Sequence, residues 1–281
     1  MLVKISADST CDLSPELIAA HQIAIIPLCV IKGGDAYQDG IEITPQDIYD
    51  YFDSGKGVCS TSAVSVGEYM DFFSEQLKSA DALVHLTISS DMSSCYQNAL
   101  QAAEEFPGRV FPVDARNLST GIGHLVLTGC ELAAQGMEAE KIAETLVLQR
   151  EKLDVSFILD TLSYLHKGGR CSGVAALGAN LLQLKPCIEV VNGKMQVGKK
   201  FRGGTLKCEL AYVQSRLANR DDLDYRRIFI THSGLPDASV EALREAVQQT
   251  GPWEEILVTK AGSTIACHCG PGCIGVLFYR K

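Results

Sequence analysis

Short apolar runs alternate with longer amphipathic stretches along the chain, a pattern that predicts strands laid side by side and covered by helices. In the first half, Leu2–Ala7, Ile23–Val30, Ala82–Ile88 and Arg109–Val113 read as strands of a largely parallel sheet. The helix starts between them are well marked. Ser14 precedes Pro15, which suits the first helical position, and Leu13 can pack on Ile18 as a hydrophobic staple. Thr44-Pro45-Gln46-Asp47 repeats the arrangement, with Ile43 against Ile48. Ser65-Val66-Gly67-Glu68 is a capping box, and Tyr69, Phe72, Phe73 and Leu77 follow on one helical face. These stripes read as core faces rather than as a cofactor box.

A second unit begins near Asp154. Val155–Leu159 reads as a strand, and a short helix ends at Lys167-Gly168-Gly169-Arg170. Pro186–Val197 reads as a hairpin turning at Asn192-Gly193, which readily supply positive φ angles. A helix over Leu206–Leu217, a strand at Ile228–Thr231 and a helix carrying Val240, Leu243 and Val247 follow. Glu255–Thr259 and Cys273–Tyr279 close the unit as strands. Hairpin pairing makes this sheet mixed. The expected fold is therefore α/β in two domains: a three-layer parallel-sheet domain at residues 1–153 and a mixed-sheet domain at 154–281.

Composition narrows the function classes. The 281 residues carry 25 basic and 34 acidic side chains, a net charge of −9, without a Lys/Arg-rich run. That opposes binding to nucleic-acid phosphates and allows at most transient contact with anionic membranes. The N-terminus lacks the apolar region of a signal peptide, and no stretch reaches the roughly 20 apolar residues of a membrane span. The expectation is a cytoplasmic protein. Its 11 cysteines show no disulfide framework and read as small, reduced, apolar fillers.

Polar clusters sit where strands hand over to helices, where backbone N–H groups gather and an anion is favoured. Asp8-Ser9-Thr10 follows the first strand, Ser89-Ser90-Asp91-Met92-Ser93-Ser94 another, and Asp114 with Ser119-Thr120-Gly121 a third. Thr61-Ser62 lies in a further loop before a capped helix. Taken singly, each of these reads more simply as a plain helix cap; four in one half of the chain weaken that reading without removing it. In Gly262–Cys273, His268 stands between two cysteines ahead of Gly-Pro-Gly, which reads as a rigid turn aiming one imidazole. Metal binding by Cys267, His268, Cys269 and Cys273 lacks a paired C-x₂-C framework. A hydrolase using Ser93 and His268 stays open, although no G-x-S-x-G elbow is present. Neither nucleotide-binding fingerprint is present, so ATP is not expected on this chain.

Taken in order, these motifs resemble the DegV family, which includes fatty-acid-binding subunits of bacterial fatty-acid kinase. The resemblance runs from about Val3 to Phe278. It rests on Asp8-Ser9-Thr10, Thr61-Ser62, Ser89-Ser90 through Ser93, Tyr96-Gln97, Asp114 and Ser119–Gly123. In the second half it rests on Leu165–Arg170, Lys185-Pro186, Arg202 and His268–Gly272. It implies no cofactor, a long-chain fatty acid such as palmitate, stearate or oleate between the two domains, and a non-catalytic role. A separate ATP-binding kinase subunit would make the acyl-phosphate. By position Thr61 and Ser93 would bond the carboxylate, with Ser62, Ser94 and His268 close by and Arg170 and Arg202 at the rim. The family usually has Ser-Gly-Thr-Tyr where this chain has Ser93-Ser94-Cys95-Tyr96, and Thr where it has Cys269. The alternatives are the Ser93/His268 hydrolase and a DegV-type regulatory module binding another amphipathic molecule.

Overall fold

Burial on both faces places strand β1 (Val3–Asp8) inside a sheet, where it pairs in parallel with β2 (Ala24–Ile26). The computed structural model describes residues 2–170 and 184–281. Pro27 follows β2 and has no N–H to offer a ladder. The Leu28 N–H instead donates to Ser9 Oγ (3.1 Å), and its carbonyl accepts from Asp39 N (2.9 Å). The chain then enters a separate antiparallel sheet of β3 (Cys29–Lys32), β4 (Asp35–Gln38) and β5 (Ser60–Ser62). The expected single strand Ile23–Val30 is thus two strands in two sheets. Thr61 and Ser62, expected in a loop, lie on β5.

Strands β6 (Ala82–Thr87) and β7 (Val110–Asp114) complete a parallel sheet of order β2-β1-β6-β7. Helices α1 (Pro15–Ala20), α2 (Pro45–Asp53) and α3 (Val66–Gln76) begin at the caps expected of Ser14, Thr44 and Ser65. Helix α4 (Cys95–Ala103) packs on α3, and α5 (Thr120–Ala134) on α6 (Ala139–Gln149), which gives three layers. Helix α5 is buried around most of its circumference because it also meets the second sheet. His124 Nε2 donates to the Leu277 carbonyl (2.9 Å), and Thr120 Oγ1 lies 2.6 Å from Thr231 Oγ1.

The second sheet runs β10-β9-β8-β13-β11-β12. Its strands are β8 (Leu153–Ile158), β9 (Leu184–Val191), β10 (Lys194–Arg202), β11 (Leu223–Ser233), β12 (Glu255–Lys260) and β13 (Cys273–Arg280). Only β11 and β12 pair in parallel, so the sheet is mixed, as expected. Asn192 (φ 50°) and Gly193 (φ 82°) make the β9–β10 turn. Helix α7 (Ser163–Gly168) follows β8, while α8 (Thr205–Leu217) and α9 (Asp237–Gln248) pack together. The segment read as a rigid turn opens instead as a short helix, α10 (Ser263–Cys269), stopped at Gly270. Among the described residues no helix is long and apolar enough to cross a membrane.

Candidate functional site

Helix α10 carries His268 and is held at its start by carboxylates from the first half of the chain. Asp12 Oδ1 accepts from Gly262 N and Asp39 Oδ1 from Ser263 N, both at 2.8 Å. Ser263 Oγ donates to the Ile43 carbonyl (2.9 Å). Asp12 Oδ2 accepts from Ser119 Oγ (2.5 Å), and Asp39 Oδ2 from Ser9 Oγ (2.8 Å). Burial pushes the Asp12 carboxyl up to about 8 and that of Asp8 to about 6, with neighbouring carboxylates adding to both. Behind the helix, Ser233 Oγ donates to the Gly270 carbonyl (2.5 Å) and accepts from Cys273 N (3.2 Å).

The loop from Ser89 to Ser94 is fixed just as closely. Asp8, fully buried, accepts from Thr10 and, at 2.8 Å, from Ile88 N. Asp114 accepts from Ser90 N (3.2 Å), Ser90 Oγ (2.6 Å) and Arg116 N (2.8 Å). The Asp8-Ser9-Thr10, Asp114 and Ser119 clusters therefore brace loops and a helix.

What they brace is a cavity of about 130 Å³. Thr61, Ser62, Ser93, Ser94, Arg170 and His268 all line it, drawn from β5, the Ser89–Ser94 loop, α10 and the end of α7. Thr61 Oγ1 shares a hydrogen bond with His268 Nε2 at 3.0 Å. Ser93 Oγ accepts from Cys95 N (3.3 Å) and donates to Cys95 Sγ (3.2 Å). Ser94 replaces the family's glycine without backbone strain, since its φ is −79°. Arg170 is exposed and donates to the Gly168 carbonyl (2.7 Å). Arg202 ends β10, opposite Leu184, and is not among the lining residues.

The surroundings of His268 hold its imidazole neutral. Among the described residues the buried Nδ1 has no hydrogen-bond partner, and desolvation, with Arg170 adding to it, lowers the pKa to about 4. A Cβ on Gly168 would fall 2.3 Å from Nδ1, so only glycine leaves room for the ring. No carboxylate orients Nδ1 among the described residues, and Nε2 faces Thr61 rather than Ser93. A serine hydrolase needs both of those relationships. Cys267, His268 and Cys269 are consecutive on a helix and point in diverging directions. Among the described residues no three metal-ligating side chains converge.

The rest of the cavity wall was not legible from polar motifs. Leu28, Ile88, Met92, Leu118, Leu165 and Ile265 make it apolar. Leu118, Ile265 and Cys269 also line a neighbouring cavity of about 30 Å³ floored by Val155, Phe157 and Leu277. Drug-sized ligand sites run to roughly 300–1,000 Å³. A long apolar ligand would need more room than either cavity offers, and Leu118, Ile265 and Cys269 form the partition that would have to give way to join them. Polar donors at one end of a divided apolar space suit a molecule with one anionic or polar head.

The family model for uncharacterised proteins of the DegV family matches residues 2–281. A DegV domain-containing protein of Deinococcus radiodurans is 31% identical, and the alignment covers 98% of each chain. A DegV family protein of Thermus thermophilus, described as binding fatty acid, is 35% identical with a TM-score of 0.90 and 100% of both chains covered. A Thermotoga maritima protein whose structure revealed a fatty-acid-binding function is 25% identical, with a TM-score of 0.84 and full coverage of both chains. The chain belongs to the DegV family.

Proposed function

We propose that this chain is a cytoplasmic carrier that holds one long-chain fatty acid between its two units, residues 1–153 and 154–281. It presents the carboxylate to a separate ATP-binding fatty-acid kinase subunit, which forms the acyl-phosphate. One observation carries the reading: the polar rim of Thr61, Ser93 and His268 closes one end of an apolar space lined from both units. The fatty-acid-binding relatives from Thermus and Thermotoga support it.

Energetics fit a carrier. A 16-carbon tail offers about 12 kcal/mol gross at ~0.8 kcal/mol per buried CH₂, reduced by the costs of association. The carboxylate contacts then set orientation more than affinity. Thr61 and Ser93 bond the carboxylate directly, with Ser62 and Ser94 beside them, and neutral His268 donates from Nε2. Arg170, exposed at the rim, and Arg202, outside the cavity, face the kinase subunit. The test is acyl-phosphate formation by the lipid-loaded chain with a DegV-directed kinase subunit and Mg-ATP. Arg170→Ala should slow product formation while fatty-acid affinity is kept. Ester hydrolysis by the chain alone, abolished by Ser93→Ala, would instead establish the hydrolase.

A further inference from the structure

A second cavity, of about 230 Å³, shares no lining residue with the one holding His268. Four guanidinium groups line it: Arg116, Arg150, Arg216 and Arg280. They come from the loop after β7, the end of α6, helix α8 and the end of β13. Such convergence needs a reason in a chain whose net charge is −9.

Three carboxylate residues, Glu151, Asp154 and Glu189, line the same cavity and offset part of that charge, unevenly among the four. Arg216 is matched by Asp154 and Glu189, and Asp154 is shared with Arg220. Among the described residues Arg150 meets a single carboxylate, Glu151, through Nε at 3.3 Å, and spends Nη1 on the Asp114 carbonyl (2.6 Å). Arg116 and Arg280 have no carboxylate within ion-pairing distance among the described residues. Arg116 Nη2 donates to the Asn192 carbonyl (2.6 Å), and Arg280 Nη2 to the Glu151 carbonyl (2.7 Å). Each guanidinium carries five N–H donors. Among the described residues most of those on Arg116, Arg150 and Arg280 thus remain uncommitted, and the buried Arg216 Nε has no partner. Four cations against three carboxylates leave positive charge over, concentrated on Arg116 and Arg280, and planar forks with spare donors match the oxygens of a phosphate.

We infer that this cavity is a binding site for a phosphate group, either as the free anion or as a phospholipid headgroup. It is a site distinct from the His268 cavity. The tip of the β9–β10 hairpin forms one wall, where Asn192 is held by Arg116 and the Gly193 carbonyl accepts from Ser89 Oγ (2.7 Å). A bound phosphate would reach that hairpin, the Arg116 loop and the end of β13 together.

Calorimetric titration of the full chain with inorganic phosphate at low ionic strength tests this, with phosphatidylglycerol and phosphatidylcholine vesicles as a sedimentation arm. Saturable binding of one phosphate per chain is expected, weakened at least tenfold in Arg280→Gln and Arg116→Gln. Arg226→Gln should leave it unchanged, because Arg226 is exposed and forks on Asp224 outside this cavity. Cosedimentation with phosphatidylglycerol alone, lost in the same two variants, would assign the headgroup. Where Arg280→Gln fails to fold, Arg116→Lys removes the fork at a half-exposed position without an ion pair, and should weaken binding several-fold. Absence of saturable binding in both arms, or binding that Arg116→Gln leaves intact, would overturn the assignment.

Discussion

Thr61 Oγ1 and His268 Nε2 lie 3.0 Å apart although 207 residues separate them in the chain. The bond joins β5 to α10, and so ties the two halves of the cavity rim together. On the proposed function, both polar atoms would change partner when a carboxylate enters between them and Ser93. Thr61→Val and Ser93→Ala each remove one charge-assisted bond and should weaken binding of oleate or palmitate by about 1.5–3 kcal/mol. The double variant should lose less than the sum, because both hydroxyls serve one anion. Titration calorimetry reads the cycle, and strict additivity would place the carboxylate elsewhere.

Gly168 sets the position of that imidazole. A methyl group 2.3 Å from Nδ1 cannot be accommodated, and the ring is hemmed in by α7 and α10. Gly168→Ala should lower unfolding free energy by about 1–3 kcal/mol, the usual cost of overpacking, and weaken fatty-acid binding together with it. Denaturant unfolding and calorimetry check the two losses. Unchanged stability would show that the ring moves freely.

Two groups give the stability opposite dependences on pH. His268 has a folded pKa of about 4 against an ordinary 6.5, so the unfolded chain takes up the proton first. Stability is therefore lost as pH falls from about 6.5 towards 4. His85 and His124, buried and lowered to about 3, act in the same direction. Asp12 behaves in reverse. Its folded pKa of about 8 against 3.8 means that the folded state holds the proton longer. Stability is lost as pH rises from about 4 through 8, and Asp8, at about 6, adds to the lower part of that range. Asp12→Asn keeps an oxygen for Gly262 N and should flatten the melting curve between about pH 6 and 8 while leaving the acid limb. An alkaline limb unchanged in the variant would remove Asp12 from the account.

Chain length should be set at the partition. Ile265, buried on α10, lines both cavities with Leu118 and Cys269. Ile265→Phe narrows the passage and should penalise C18 acids more than C10 acids, which a competition series measures directly. Equal losses along the series would send the tail elsewhere.

The helix starts were legible because capping is a local contract between residues three apart. Ser14, Thr44 and Ser65 each kept it. The alternation of runs likewise gave the parallel and mixed sheets. Pro27 was the visible sign that Ile23–Val30 must break, and the apolar pattern on both sides concealed it. Residues 262–273 looked like a turn because the pairs Gly262–Asp12 and Ser263–Asp39 that start α10 are remote in sequence. The polar rim residues Thr61, Ser93 and His268 were recognisable by type and motif, and they do converge. For Asp8, Asp114 and Ser119 the sequence left cap and anion-binding readings side by side, since a bracing polar group and a binding one look alike in sequence; in the fold they brace loops and a helix. The apolar wall carried no signal of its own: Leu118 and Ile265 read as core. The guess that cysteines serve as small fillers fits their placement, since most of the ten described are buried and all are free.

Lipid extraction tests the carrier reading most directly. Protein purified from a bacterial host should be denatured, extracted with organic solvent and analysed by mass spectrometry. Near-stoichiometric C14–C18 fatty acid is expected, and delipidated protein should melt lower and recover on adding oleate or palmitate. Saturating ligand should restore roughly 3–4 kcal/mol at 100–1,000 times the dissociation constant. Extracts free of fatty acid in several preparations, with no melting shift from any of these acids, would contradict the account.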